Sequence, residues 1–145
     1  MVKDLQRLLA DEYLAAIQYH NGAMCVDTES VKSELAQHAI EELKHADGLA
    51  ERIKALGGDP VQSHRWRKIS RCGYTPPKGS EAKVLRQNIK GEKCAIKAYQ
   101  QLLNKNEADS DTKQLLRLIL KEEKEHLTDL TDLLRLKIPM KSGEV

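Results

Sequence analysis

The sequence contains two stretches with the same pattern, LAQHAIEELKHADGL at residues 35–49 and LRLILKEEKEHLTDL at residues 116–130. Each begins and ends with leucine, and each has a glutamate midway and a histidine three residues after that glutamate. Residues that are three or seven apart lie on one face of an α-helix. The two stretches therefore predict two amphipathic helices that carry Glu-x-x-His on their apolar faces.

The repeat extends to the segment that precedes each stretch. It matches Leu5 with Leu85, Glu12 with Glu92 and Tyr19 with Tyr99, each pair 80 residues apart. The midpoint between Glu12 and Glu42 falls at residue 27, and the midpoint between Glu92 and Glu123 falls near residue 107. Both midpoints lie in turns that the sequence predicts between two helices. If the two helices form an antiparallel hairpin, Glu12 is therefore level with the first Glu-x-x-His and Glu92 with the second. The pattern predicts four glutamates and two histidines at one depth of a helical bundle.

The composition favours helices over strands, because the chain is rich in Leu, Ala, Lys and Glu and has no Phe. We predict an all-α fold with four long helices. They are expected at residues 3–26, from a cap at Asp27 or Thr28 to Leu56, from a cap at Ser80 to about Asn104, and from a turn at residues 107–110 to a point before Pro139.

The connection lengths predict the topology of this bundle. Few residues join the first helix to the second or the third to the fourth, so each pair is an antiparallel hairpin. Residues 57–79 are able to reach ~70 Å when extended, against ~40 Å for a helix of about 27 residues. They predict a long crossover between the second and third helices. The residues after Ile138 are few and polar, and they predict no fifth helix.

The inward glutamates indicate a metal site. Ionised carboxylates in an apolar interior cost several kcal/mol each and repel one another unless a positive charge compensates them. Lysines and arginines are plentiful but fall mostly on other helix faces. One glutamate from each of two helices and Glu-x-x-His from each of the other two is a ligand set for two iron or manganese ions. A single Glu-x-x-His on a solvated face is common, but two copies in register favour the metal site.

Composition limits the remaining possibilities. The 145 residues are enough for one domain, residues 1–145, and they include no apolar run long enough to span a membrane. The N-terminus has no apolar secretion segment, which indicates a cytoplasmic protein. A net charge of +2 gives little support for nucleic-acid binding. Three cysteines without a CxxC spacing predict reduced thiols.

Over nearly its whole length the sequence resembles the ferritin superfamily, in particular bacterioferritins and the Dps-like mini-ferritins that carry a bacterioferritin-type di-iron centre. The most specific matches are Glu42-Leu-Lys-His45-Ala-Asp, Glu123-Lys-Glu-His126 and Gly91-Glu92-Lys-Cys94-Ala-Ile. The resemblance implies a ferroxidase that oxidises two Fe²⁺ with O₂ or H₂O₂ and stores the product in a homo-oligomeric shell of twelve or twenty-four subunits. Manganese or zinc is expected to be able to replace iron.

The resemblance also implies roles for individual residues. Glu42 and Glu123 would bridge the two metals, Glu12 and His45 would complete one site, and Glu92 and His126 would complete the other. Tyr19 is the redox-active candidate, because a tyrosine recurs there in the family. Bacterioferritins bind haem through a methionine that directly follows the bridging glutamate of the second helix. Leu43 stands at that position, so we predict no haem.

Several residues keep two interpretations. Tyr19 and Tyr99 either hydrogen-bond the ligands or are ordinary core tyrosines. His38 lies where the other half has Ile119, and it is either an additional iron ligand or a core histidine. Cys94 is interpreted as packing unless it proves reactive. The basic segment from His64 to Arg71 fits a subunit interface better than a nucleic-acid site.

Alternative functions remain. A di-iron oxygenase or hydroxylase uses the same ligands, but such enzymes need a substrate pocket that a short chain does not easily build. A rubrerythrin-like peroxidase usually has paired CxxC motifs, which this sequence lacks. A non-catalytic helical or DNA-coating protein would leave the inward carboxylates unexplained.

Overall fold

A computed structural model describes residues 1–137, and they form an all-α fold. The helices are α1 (Val2–Cys25), α2 (Glu29–Ala55), α3 (Trp66–Ile69), α4 (Glu81–Asn104) and α5 (Ser110–Lys137), with one 3₁₀ turn at Ser63–Arg65. The four long helices lie within a few residues of the predicted bounds. No helix among residues 1–137 is long and apolar enough to cross a membrane.

The ends of the long helices follow local sequence signals. At the end of α2, Gly57 adopts φ +84°, and the Gly58 amide donates to the Ile53 carbonyl at 2.9 Å. Glycine adopts this left-handed conformation without a Cβ clash, which makes it a common helix terminator. At the start of α4, the Ser80 hydroxyl accepts a hydrogen bond from the Lys83 amide, as predicted for a capping residue.

Contacts between helices establish the direction of each one. Tyr99 of α4 reaches Glu12 of α1, and Tyr19 of α1 reaches Glu92 of α4, so these two helices are antiparallel. The short connection at residues 26–28 makes α2 antiparallel to α1 as well. Since α2 and α4 then run in the same direction, the segment between them has to traverse the length of the bundle. The predicted crossover is therefore present.

The crossover follows α1. The Gln6 side-chain amide donates to the Asp59 carbonyl at 2.8 Å, and the Thr75 amide donates to the Gln18 side chain at 3.0 Å. Buried Asp11 lies between these two points. It accepts hydrogen bonds from Ser70, Arg71 and Cys72 at the middle of the crossover. These bonds hold the polar backbone of the crossover against the helix.

The prediction that there is no fifth helix is wrong, because the described residues form five α-helices. The additional helix, α3, is a single turn within the crossover. The Trp66 ring stacks on Tyr13 with ring centroids 4.3 Å apart, and the Trp66 indole donates to the Val61 carbonyl. These contacts stabilise a turn that is too short to show an amphipathic period. Residues 138–145, to which the prediction referred, lie outside the described residues.

The prediction that all cysteines are reduced thiols is also wrong for two of the three. Cys72 of the crossover and Cys94 of α4 form a disulfide with their Cα atoms 5.7 Å apart, whereas Cys25 is free and exposed. The two residues are 22 positions apart in the chain, and they meet only because the crossover runs back across the bundle. The bond ties the crossover to α4 next to Glu92.

Removing this disulfide is expected to destabilise the protein. Opening a loop of 22 residues restores conformational freedom to the unfolded chain, which corresponds to about 3 kcal/mol. Cys94→Ala should lower the free energy of unfolding by this order in denaturant titrations under oxidising conditions. Cys25→Ala serves as the matched control and should change little. Equal stability of the Cys94→Ala variant and the parent protein would show that the disulfide does not constrain the fold.

Candidate metal centre

The six residues predicted as ligands lie together in the middle of the bundle. All are at least 96% buried, and they are Glu12, Glu42, His45, Glu92, Glu123 and His126. One apolar cluster, which includes Leu9, Leu49 and Ile119, lies on one side of them. A second, which includes Leu35 and Leu130, lies on the other side. A polar layer thus interrupts an otherwise apolar core, and all four long helices contribute to it.

The first group of ligands surrounds His45. Its Nδ1 atom lies 3.0 Å from Glu123 Oε1, 3.3 Å from Glu12 Oε2 and 3.5 Å from Glu42 Oε1. Together the four residues offer ligand atoms that all lie within 4.8 Å of one another. Their carboxylate and imidazole groups are the ligands that iron, manganese and zinc accept.

The second group surrounds His126 in the same manner. Its Nδ1 atom lies 3.0 Å from Glu42 Oε1 and 3.5 Å from both Glu92 Oε1 and Glu123 Oε1. Glu42 and Glu123 belong to both groups. Two metal positions would therefore share these two carboxylates. That metals bind there stays a prediction.

Several atoms of the centre lack hydrogen-bond partners. Among the described residues, both carboxylate oxygens of Glu123, Glu42 Oε1, Glu92 Oε2 and His126 Nδ1 are buried without one. His126 Nδ1 and Glu42 Oε1 are close to each other, yet the geometry of a hydrogen bond is not met. Unpaired buried polar atoms are costly and rare in folded proteins. These buried oxygens and the nitrogen point toward one another without forming hydrogen bonds, which is the arrangement expected of atoms that bind the same cation.

Two tyrosines connect the halves of the centre. The Tyr19 hydroxyl of α1 donates to Glu92 Oε1 of α4 at 2.5 Å, and the Tyr99 hydroxyl of α4 donates to Glu12 Oε1 of α1 at 2.7 Å. Both hydroxyls therefore orient carboxylates of the centre. Burial, together with the nearby carboxylates, raises the pKa of both phenols well above the usual value. The redox role predicted for Tyr19 stays a prediction.

Two residues that the sequence pattern did not predict contact the outer edges of the histidines. Nε2 of His45 on α2 lies 2.5 Å from Glu122 of α5. Nε2 of His126 on α5 is paired in the same way with Glu41 of α2. Such carboxylates fix the tautomer and orientation of an imidazole ligand. The signal was present, because each Glu-x-x-His is preceded by a second glutamate.

Burial and mutual repulsion dominate the electrostatics of the shared carboxylates. Burial raises the pKa of Glu42 well above its usual value, and the charges of Glu12 and Glu123 raise it further. Burial and the charges of Glu12 and Glu92 act in the same way on Glu123. Without metal these two glutamates therefore hold protons at a higher pH than exposed glutamates do.

The two histidines supply positive charge when no metal is bound. Burial opposes protonation of His45, but its contacts with Glu12 and Glu123 outweigh burial and raise its pKa to about 11. Burial also lowers the pKa of His126, but its contact with Glu92 and the charges of Glu92 and Glu123 outweigh burial and raise the pKa to about 9. Two imidazolium ions thus partly neutralise the glutamates, so the positive charge that lysines and arginines do not provide comes from histidines.

These shifts predict how the stability of the metal-free protein depends on pH. The native pKa of His126, about 9, lies above the ordinary value of 6.5, so between these pH values the native state binds more protons than the unfolded state. Stability should therefore fall as pH rises from 6.5 to 9, with His126 alone accounting for a loss of order 3 kcal/mol. His45, Glu42 and Glu123 act in the same direction.

Urea unfolding at a series of pH values tests this prediction, and His126→Gln should flatten the curve of stability against pH. Stability that is constant or rises across this window would contradict it.

The remaining candidate residues lie outside the centre. His38 is buried beside it and stacks on His126 with ring centroids 4.2 Å apart, while burial, together with His126, lowers its pKa. In the basic segment, Trp66 packs on Tyr13 of the same chain, and Arg67 donates to the Tyr74 carbonyl at 3.0 Å. The charged side chains of this segment are exposed. Whether they bind another subunit stays a prediction.

A small polar cavity reaches the centre from the face formed by α2 and α5. Its volume is about 180 Å³, and it is lined by Glu41, Lys44, Glu122, Glu125 and His126. A larger cavity of about 370 Å³ lies between α1 and the crossover, and none of the six candidate ligands lines it. The cavity beside the centre has room for ions and small oxidants, but it is below the usual size of pockets for organic ligands.

Comparisons with known proteins identify the family of the chain. A family model described as the ferritin-like domain matches residues 2–137. The bacterioferritin-related protein of Bacteroides fragilis, described as a dodecameric thioferritin, has 38% sequence identity and a TM-score of 0.87 over 94% of this chain and 87% of its own.

Two curated relatives are similar along most of the chain. Bacterioferritin of Desulfovibrio desulfuricans is 32% identical over 134 residues, which are 88% of this chain and 70% of its own length. The DNA protection during starvation protein of Pyrococcus furiosus is 28% identical over 110 residues, which are 73% of this chain and 60% of its own length. A bacterioferritin structure from D. desulfuricans, described with a diiron site, has a TM-score of 0.81 at 27% identity, covering 92% of this chain and 77% of that one. The chain therefore belongs to the ferritin-like family.

Proposed function

We propose that this protein is a ferroxidase that binds two Fe²⁺ in the central carboxylate layer and stores the oxidised iron inside an oligomeric shell. The observation that carries the proposal is the pair of overlapping four-residue groups that share Glu42 and Glu123 and contain buried unpaired oxygens. The diiron site of the D. desulfuricans bacterioferritin supports the same assignment. Manganese and zinc, which accept the same ligands, are expected to compete for the centre.

The chain contributes ligands, charge and orientation to this reaction. Each bound Fe²⁺ gives up one electron, so a pair supplies the two electrons that reduce O₂ to H₂O₂ or H₂O₂ to water. Glu42 and Glu123 hold both ions at once, and their negative charge favours the higher oxidation state. Glu122 and Glu41 keep the Nε2 proton on His45 and His126, which leaves Nδ1 free to bind iron.

Tyr19 has a further role in this proposal. Its hydroxyl donates to Glu92 Oε1 at 2.5 Å, so it lies one hydrogen bond from a ligand of the second metal position. When only one metal position holds Fe²⁺, reduction of H₂O₂ lacks its second electron. The Tyr19 phenol is placed to supply that electron, with its proton passing to Glu92 and the resulting tyrosyl radical being reduced by the next Fe²⁺. Tyr19→Phe removes the hydroxyl and tests this role, with Tyr13→Phe as a control outside the centre.

The proposal includes an oligomeric shell. The B. fragilis relative is described as dodecameric, which favours twelve subunits over twenty-four for this chain. Size-exclusion chromatography with light scattering should give a mass of twelve times the 16.4 kDa subunit. A monomer or dimer would contradict storage and would favour a di-iron oxygenase or a rubrerythrin-like peroxidase. The small cavity beside the centre already argues against an organic substrate.

The ferroxidase activity is tested by adding Fe²⁺ to the metal-free protein and following the absorbance of the oxidised product. Fast oxidation should saturate at two Fe²⁺ per subunit and should be followed by slower growth of an iron core. Protein loaded with Fe²⁺ without oxygen and then mixed with either O₂ or H₂O₂ identifies the preferred oxidant. Oxidation no faster than in buffer with either oxidant would contradict the proposal.

The prediction that the protein binds no haem rests on Leu43, which is 46% exposed on α2. A leucine side chain offers no atom that ligates haem iron. Protein purified from cells supplied with haem should therefore show no Soret band in stoichiometric amount. One haem for every two subunits would contradict the prediction.

A further inference from the structure

His38 is a polar residue in an apolar position. It lies on α2 about two turns before His45, and its side chain is 1% exposed. The internal repeat places Ile119 at the equivalent position of α5, where the side chain is also 1% exposed. An imidazole in such a position costs free energy relative to isoleucine unless its nitrogens are used.

Two carboxylates from different helices face one nitrogen of this ring. His38 Nε2 lies 3.0 Å from Glu34 Oε1 of α2 and 3.5 Å from Asp129 Oδ2 of α5. The three residues offer ligand atoms within 4.8 Å of one another. Glu34 and Asp129 are 38% and 49% exposed, so a cation is able to reach them from solvent. A core histidine that needs only one partner would be satisfied by Glu34 alone.

The other nitrogen of the ring, His38 Nδ1, is buried and makes no hydrogen bond among residues 1–137. Glu34 and Asp129 at Nε2 are therefore the carboxylates that face this ring directly. The ring stacks on His126, and His38, Glu41 and His126 form a second set of three possible ligands. His38 therefore lies between two exposed carboxylates and a ligand of the central pair.

We propose that Glu34, His38 and Asp129 bind a third divalent cation, separate from the central pair, on the face formed by α2 and α5. One imidazole and two carboxylates suit Fe²⁺, Mn²⁺ or Zn²⁺. If the central ferroxidase pair exists, this site holds an Fe²⁺ beside His126, on the route between solvent and the centre. That second statement rests on the proposed function, whereas the cation site itself does not.

Zn²⁺ is the probe for this site, because it accepts these ligands and undergoes no oxidation. Crystals of the complete protein soaked in Zn²⁺ should show an anomalous peak between His38 and Asp129 in addition to peaks in the central layer. Zn²⁺ in the centre with none at His38 would overturn this inference and leave the ferroxidase proposal intact. Zn²⁺ at His38 with none in the centre would support this inference and contradict the ferroxidase proposal.

Two variants test the ligands in solution by calorimetric titration of Zn²⁺. His38→Ile, which introduces the residue of the repeat, should remove one Zn²⁺ per subunit. Asp129→Asn changes an exposed residue, which preserves the fold, and should weaken the third site at least about tenfold. Asp132→Asn, an exposed change one turn further along α5, is the matched control and should have no effect. Unchanged stoichiometry and affinity in Asp129→Asn would overturn the inference even if His38→Ile fails to fold.

Discussion

Replacing Glu42 or Glu123 by alanine is expected to slow the rapid oxidation of Fe²⁺ at least about a hundredfold. Each of these residues belongs to both four-residue groups, so either substitution removes a ligand from both metal positions at once. Losing even an indirect partner of a metal ligand typically costs ten- to a hundredfold in affinity or activity, and losing a shared ligand should cost more. Stopped-flow absorbance after mixing with two Fe²⁺ per subunit measures the effect.

The matched control for this experiment is Glu51→Ala, an exposed glutamate on α2. It should oxidise Fe²⁺ at the rate of the parent protein. Circular dichroism should show the same helical content in all variants, because the apolar clusters on both sides of the centre are unchanged. Parent-like rates in Glu42→Ala or Glu123→Ala would exclude that residue from the centre.

Divalent metal is expected to raise the melting temperature of the metal-free protein by roughly 10 °C. A ligand that binds only the native state stabilises it by ~3–4 kcal/mol when its free concentration is about 100–1,000 times the dissociation constant. For a chain of this length, each kcal/mol corresponds to roughly 2–4 °C. Calorimetry with Mn²⁺ or Zn²⁺ at a fixed protein concentration measures the shift, since melting of an oligomer depends on concentration.

The double variant Glu42→Leu/Glu123→Leu is expected to lose most of this response without losing stability in the metal-free state. Any stabilisation that remains would come from the third site at His38. Burial and the neighbouring carboxylates make Glu42 and Glu123 costly to ionise when no metal is bound. Removing these two glutamates leaves His45 beside Glu12 at 3.3 Å and His126 beside Glu92 at 3.5 Å, so each histidine keeps a carboxylate partner. A metal-free double variant much less stable than the parent would show that these glutamates form a structural network, and the metal assignment would have to be withdrawn.

The internal repeat explains why most of the central layer was predictable from sequence. Helical periodicity places Glu42 and Glu123 on the same faces as Leu35 and Leu130, and the turn positions then set their depth. Both inferences depend only on local spacing within two hairpins. The six candidate ligands consequently meet at one depth of the bundle, as the pattern predicted.

Features that depend on contacts distant in sequence were not predictable in the same way. The disulfide between Cys72 and Cys94 requires knowledge of where the crossover lies on the bundle. Helix α3 is formed by the packing of Trp66 on Tyr13 rather than by a periodic pattern. The pairing of Glu122 with His45 joins two different hairpins, so its sequence signal had meaning only once the hairpins were packed together.

Anomalous diffraction at the iron absorption edge, from crystals soaked anaerobically in Fe²⁺, tests the central claim most directly. We predict two iron peaks in the central layer of each subunit, one bound by Glu12, Glu42, His45 and Glu123 and the other by Glu42, Glu92, Glu123 and His126. Crystals of the Glu42→Leu/Glu123→Leu variant should show neither peak. Iron bound only at the protein surface, with the central layer empty of anomalous density, would contradict the account.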